Sequence, residues 1–166
     1  MTCKAIISSG IQILGLAFTL ASRLHADDLE PVLTASIDES VSVDLCAGWP
    51  LLLEIGMIHP EPFASNAPPL LIDPGNGPWS DAVAIEVTDP AGNLQNWPWT
   101  LFNVTSNQIT LDGTNAGQLV YLLAPSDTAL LAPTNYTIRA LLNTTNSPNT
   151  NSWRGTLAGT DRKSVV

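Results

Sequence analysis

"LAPTNYTIRALL", Leu131 to Leu142, decides how the chain is read. Once past Pro133 and the polar pair Thr134 and Asn135, Tyr136, Ile138, Ala140 and Leu142 fall on every second position. A period of two places them on one side of an extended strand, whereas a helix would space them by three and four.

The same period recurs in both directions. In "PVLTASI" Leu33, Ala35 and Ile37 share a face opposite Thr34 and Ser36, and "VSVDL" turns Val41, Val43 and Leu45 inward. "LLLEIGMI" carries Leu51, Leu53, Ile55 and Met57 on one face; Leu52 and Ile58 on the other predict a central strand covered on both sides. "AVAIEVT", the turn residues "DPAGN" and "WPWTLF" predict a hairpin, with Val83, Ile85 and Val87 on one arm and Trp97, Trp99 and Leu101 on the other. "QITL" and "LVYLL" add two short strands, "PSDTALLAP" one helical turn, and "WRGTLAG" the start of a last strand. From His59 to Pro78 the chain carries six of its 13 prolines, which leaves room only for a short edge strand at Leu70 to Ile72. After residue 26 no helical period is sustained. Eight or nine short strands at intervals of about ten residues predict an all-β, antiparallel sandwich.

Composition agrees with one packed domain: 45% hydrophobic and 13% charged residues in 166 exclude a disordered chain. The first 26 residues read as an export signal, with Lys4 ahead of the apolar run "IQILGLAFTL" and Ala26 as the residue before the cut. The expected location is secreted, periplasmic or cell surface, with no membrane attachment once the signal is removed. Residues 27 to 160 then form the sandwich domain. They hold 14 acidic side chains against Arg139 and Arg154, a net charge of −12 that repels phosphate backbones and excludes nucleic acid. One cysteine, Cys46, remains after the signal, so packing rather than a disulfide must hold the domain together.

The inventory for chemistry is thin. His59 is the one histidine after the signal and is expected as a solvated loop residue; no G-x-S-x-G elbow accompanies it. Zinc would need several His or Cys ligands. Asp73, Asn76 and Asp81, or Asp112 and Asn115, offer oxygen atoms, but the spacing is that of turn formers and not of a calcium loop. No catalytic residue, metal or cofactor is therefore expected. Trp97 and Trp99 flank Pro98 and project to one side; they suit either a core facing the opposite sheet or a platform for sugar rings, and the core reading takes precedence. Asn103, Asn135 and Asn143 begin sequons.

Two resemblances complete the reading. "LAPTNYTIRALL" resembles the corner before strand F of immunoglobulin-like and fibronectin type III domains, where a tyrosine hydroxyl bonds to upstream backbone. It implies that Tyr136 pins that corner and that Leu131 and Pro133 shape it; the tryptophan expected within strand B of such domains is missing unless Trp49 replaces it. The implied role is a non-catalytic spacer, adhesion or assembly module of a larger exported protein. The alternative is an accessory, carbohydrate-binding domain of an exported enzyme; the partners expected are other domains of the same protein or extracellular polysaccharide. The last six residues, "DRKSVV", Asp161 to Val166, resemble the translation of a common sequencing adapter, GAT CGG AAG AGC GTC GTG. On that reading residues 161 to 166 are a library scar, and the sandwich is expected to lack its closing strand.

Overall fold

Two antiparallel layers face each other across one apolar interior. The computed structural model describes residues 29–37, 42–62, 66–103, 105–159 and 162–165; the export signal and Val41 lie outside them. The first sheet contains β1 (Val32–Ile37), β3 (Leu51–Ile58), β9 (Gly117–Leu123) and β7 (Thr100–Leu101), in the order β1-β3-β9-β7. In the second, β2 (Ser42–Asp44), β12 (Arg162–Val165), β10 (Asn135–Asn143), β5 (Val83–Thr88) and β6 (Leu94–Gln95) follow one another, and β11 (Thr156–Ala158) also pairs with β10. β4 (Leu70–Ile72) and β8 (Ile109–Leu111) form a separate ladder, and α1 (Pro125–Thr128) is the single helical turn expected after β9. The protein is an all-β sandwich.

Period two builds the interior. Leu33, Ala35 and Ile37 of β1, and Leu51, Leu53, Ile55 and Met57 of β3, are buried against Tyr136, Ile138, Ala140 and Leu142 of β10. Fully burying a side chain of this size contributes about 1.5–3 kcal/mol, which is how a domain without a disulfide holds two sheets together. Cys46 is half-buried.

Three expectations need correction. β3 is central, between β1 and β9, but it is not covered on both sides: Leu52 and Ile58 are 41% and 39% exposed, because among the described residues no layer lies on the outer face of its sheet. The hairpin after β5 is also shorter than expected. Asp89 accepts the Ala91 and Asn93 N–H groups, Gly92 takes φ +84°, and the returning arm is only β6, pairing Val87 with Gln95 and Thr88 with Leu94. Pro98 has no N–H to continue that ladder, so the chain crosses to the other sheet, where β7 pairs with β9. Trp49 does not serve as a core tryptophan: it sits in the turn before β3 with 71% of its surface exposed.

β11 and β12 pair with the same edge of β10: Leu141 stands opposite Ala158 and Ile138 opposite Arg162, and the Gly159 N–H donates to the Ala140 carbonyl at 2.7 Å. The backbone of Arg162–Val165 thus lies in the closing position, antiparallel to β10 and parallel to β2.

The corner before β10 is tied at Tyr136. The Tyr136 hydroxyl donates to the Ala132 carbonyl at 3.3 Å, and its ring meets Trp97 edge to face at 5.0 Å. Leu131 packs against the core and Pro133 is exposed in the turn. Chemical denaturation should find Tyr136→Phe less stable by about 0.5–1.5 kcal/mol, the net value of one hydrogen bond. Trp97→Ala should cost about 3–5 kcal/mol; equal losses for the two would refute the view that the ring, more than the hydroxyl, anchors the corner.

Candidate functional site: a loop cap on one end of the sandwich

Three connections leave the same end of the sandwich: residues 59–82 between β3 and β5, 102–116 between β7 and β9, and 144–155 between β10 and β11. They are fused into one body. β4 of the first pairs with β8 of the second, placing Leu70 opposite Leu111 and Ile72 opposite Ile109. The third joins on the far side of β4 through a parallel bridge between Leu71 and Ser152, with the Trp153 N–H donating to the Leu71 carbonyl at 2.8 Å.

Side chains add further ties. Thr105 Oγ1 donates to Ser80 Oγ at 2.9 Å, and Asn149 Nδ2 to Asp73 Oδ2 at 3.0 Å. Gly75, at φ +89°, lies so close to the Pro148 ring that no Cβ would fit. Leu70, Ile72, Trp79 and Leu111 are buried beneath, continuous with the sandwich interior. The Pro-rich stretch is ordered here because its apolar triplet, Leu70–Ile72, pairs with the distant triplet Ile109–Leu111.

His59 belongs to this packing and is not the solvated residue expected: it is 1% exposed. The Glu61 N–H donates to Nδ1 at 3.0 Å, so that nitrogen is the acceptor; Nε2 carries the hydrogen and donates to the Pro68 carbonyl, also at 3.0 Å. Both ring nitrogens are occupied by main chain. The imidazole therefore staples the start of the first connection and has no lone pair to offer a substrate.

Three carboxylates are likewise committed to turns. Asp73 Oδ1 accepts the Gly75 N–H. Asp112 accepts from the Thr114 N–H and hydroxyl and from the Asn115 N–H and amide, and these donors, the Thr114 N–H foremost, hold its carboxyl below the ordinary value. At the opposite end Asp89 is lowered in the same way, chiefly by the Asn93 side chain. The Tyr121 phenol is pushed up by burial and then by the Asp81 charge. Asn76 is exposed, and Asp112 and Asn115 are bonded to each other within their own turn. Among the described residues no three His, Cys, Asp or Glu side chains gather to hold a metal ion.

Trp97 is buried in the sandwich, 8% exposed. Trp99 is half-buried, 5.8 Å from Trp97 between ring centroids, and its Nε1–H finds no acceptor among the described residues. The sequon at Asn103 has a structural use: its Nδ2 donates to the Gln118 carbonyl at 2.8 Å and its Oδ1 accepts the Val120 N–H at 2.9 Å, so the side chain extends the β7 ladder along β9. Asn135 and Asn143 are exposed at the two ends of β10.

Two clefts open on the cap. One of about 270 Å³ is lined by Asp81, Asn143, Asn146 and Ser147. The other, about 460 Å³, lies between Pro69 and Leu71 on one wall and Thr150, Asn151, Trp153 and Arg154 on the other. Arg154 is exposed and makes no ion pair among the described residues, whereas Arg139 on β10 lies 3.6 Å from Glu86. Sequence reading passed over this wall, taking "WRG" only as a strand start; Arg154, one of two basic residues in the acidic body, was the available signal. Gly155 packs on the Trp153 ring, where a Cβ would lie 2.6 Å from it.

No family model matches the chain, and no curated protein matches it. Among solved structures, a family 123 glycoside hydrolase from Clostridium perfringens matches at 12% identity with a TM-score of 0.38, over 83% of this chain and 27% of that one. The chain thus spans about a quarter of that enzyme's length.

The Asp112 turn gives a pH test. A carboxyl held below its ordinary value of 3.8 stabilises the fold above that pH and loses the contribution as pH falls through its folded value. Asp112→Asn should therefore be less stable than the parent near neutrality, and the gap between their denaturation midpoints should close in acid. A gap independent of pH would show that the turn does not depend on the charge.

Proposed function

We propose that the chain is a non-catalytic, immunoglobulin-like module of an exported protein, and that the loop cap is its binding end. The fused cap carries this reading: three connections held by two ladders and by side-chain bonds form a surface already ordered before a partner arrives, which lowers the entropic cost of binding. The strand order supports the fold family. β1, β3, β9 and β7 correspond to the four-strand sheet of such domains, and β11 with β12, β10, β5 and β6 to its partner, with β2 beside the closing strand. Tyr136 takes the place of the corner tyrosine at the start of the sixth strand. The occupied nitrogens of His59 and the turn-bound carboxylates support a role without catalysis.

A second reading, an accessory domain that holds a glycan, is favoured by the larger cleft. An indole ring beside hydroxyl, amide and guanidinium donors matches a sugar ring, which presents an apolar face and a hydroxyl rim. Titration with neutral oligosaccharides, followed by calorimetry and by Trp fluorescence, separates the two readings. Binding that is lost in Trp153→Ala and weakened about tenfold or more in Arg154→Ala selects the glycan reading. Absence of binding across a panel of neutral glycans leaves the assembly module.

A further inference from the structure

Asn76–Gly77, in the first connection of the cap, is the one Asn-Gly step in the chain. The Asn76 amide is exposed, and neither it nor the Gly77 N–H makes a hydrogen bond among the described residues. Gly77 lies at φ +100° and carries no Cβ to hinder its nitrogen from approaching the neighbouring side-chain amide. The fold withholds this freedom from comparable asparagines. After Asn146 and Asn151 the next nitrogens are engaged: the Ser147 N–H donates to the Thr144 carbonyl and the Ser152 N–H to the Asn149 carbonyl, both at 3.1 Å. The Asn115 amide is held by Asp112 at 3.2 Å.

We propose that Asn76 is a site of spontaneous modification that loosens the first connection from the third. Hydroxide removes the Gly77 amide proton, and the nitrogen attacks Asn76 Cγ; the N–Cγ bond forms, the Cγ–Nδ2 bond breaks, and ammonia leaves a succinimide ring. Water then opens the ring. Cleavage of the new N–Cγ bond gives aspartate, and cleavage of the original main-chain amide gives isoaspartate, so the sum is asparagine plus water to either acid plus ammonia. The attack is intramolecular and needs no enzyme, only a nitrogen and an amide free to meet. Both products fall at a tight joint. On one side Gly75 abuts the Pro148 ring of the third connection with no room for a Cβ, and on the other a Cβ at Gly77 would lie 2.5 Å from Asp81 Oδ2. A new carboxylate, ionised at neutral pH, adds like charge between Asp73 and Asp81. Isoaspartate also moves a methylene into the main chain, lengthening the turn that Pro148 confines.

Incubation of the full chain at mildly alkaline pH, native and in urea, tests this by peptide mapping with mass spectrometry. In the native chain Asn76 should convert ahead of Asn146 and Asn151, with one added negative charge per modified molecule on isoelectric focusing. In urea Asn146 and Asn151 should accelerate, whereas Asn76, already unhindered, should change least. Hydrogen exchange on the aged native chain should show lost protection at the Trp153 N–H, which donates to Leu71, and along Leu70–Ile72. Asn76→Gln, whose longer side chain closes the corresponding ring slowly, should keep the unfolding midpoint of the fresh parent and its cap protection through the same incubation. Three results would overturn the proposal: native Asn76 converting no faster than Asn146 and Asn151, conversion that leaves exchange in the cap unchanged, or an equal loss of protection in aged Asn76→Gln. No ligand enters these measurements, so their outcome is independent of what the cap binds.

Discussion

Everything in this molecule depends on the interleaving of two apolar faces, β3 from one sheet and β10 from the other. With no metal cluster among the described residues, burial opposes the chain's entropy, and Leu51, Leu53, Ile55 and Met57 against Tyr136, Ile138, Ala140 and Leu142 form its centre. That constraint is strict because the side-chain period is two: a slip of one residue in either strand would turn its whole apolar set to water. The fixed points around the interface act against such a slip. Tyr136 is held at its ring by Trp97 and at its hydroxyl by Ala132, and the Asp89 turn sets the register of β5 with β6.

The core also explains the cap. Leu70, Ile72 and Leu111 are three-residue runs too short to be stable strands alone, but they extend the sandwich interior beyond the strand ends. Once buried, their backbone groups need partners, and β4, β8 and Ser152 supply them for one another. His59 answers the same requirement at the point where β3 ends, satisfying one donor and one acceptor of the main chain within nine residues. The cap is therefore ordered by the same physics as the core, and its two clefts are borders between well-packed segments.

The strand faces were legible because alternation is a local signal: every buried residue named on β1, β3 and β10 follows from period two. Partner choice was not, since it depends on where chains meet in space. Pro98 was a readable break in "WPWTLF", outweighed by the alternation of Trp97, Trp99 and Leu101 around it. The outer face of β3 was misread because apolar residues on both sides of a strand mean either two coverings or one covering and an exposed patch, and no local signal separates them. The burial of His59 was hidden by its prolines, which read as loop until the pairing of two distant triplets is known. The Asn103 bridge left only a sequon, a signal for different chemistry.

The closing position beside β10 separates two kinds of stabilisation that usually come together. Its ladder uses N–H and C=O groups that every residue except proline carries, so the backbone of Arg162–Val165 can cover the β10 edge whatever the origin of "DRKSVV", a foreign hexapeptide included. Burial is different, because it depends on the side chains supplied, and beside β10 it is β11 that offers Leu157, packed against the core. The hydrogen-bonded edge and the apolar interior are thus specified by different parts of the chain at this point. The sandwich draws its cohesion from β3, β5 and β10, and the closing strand chiefly removes an open edge that would otherwise invite pairing with another chain.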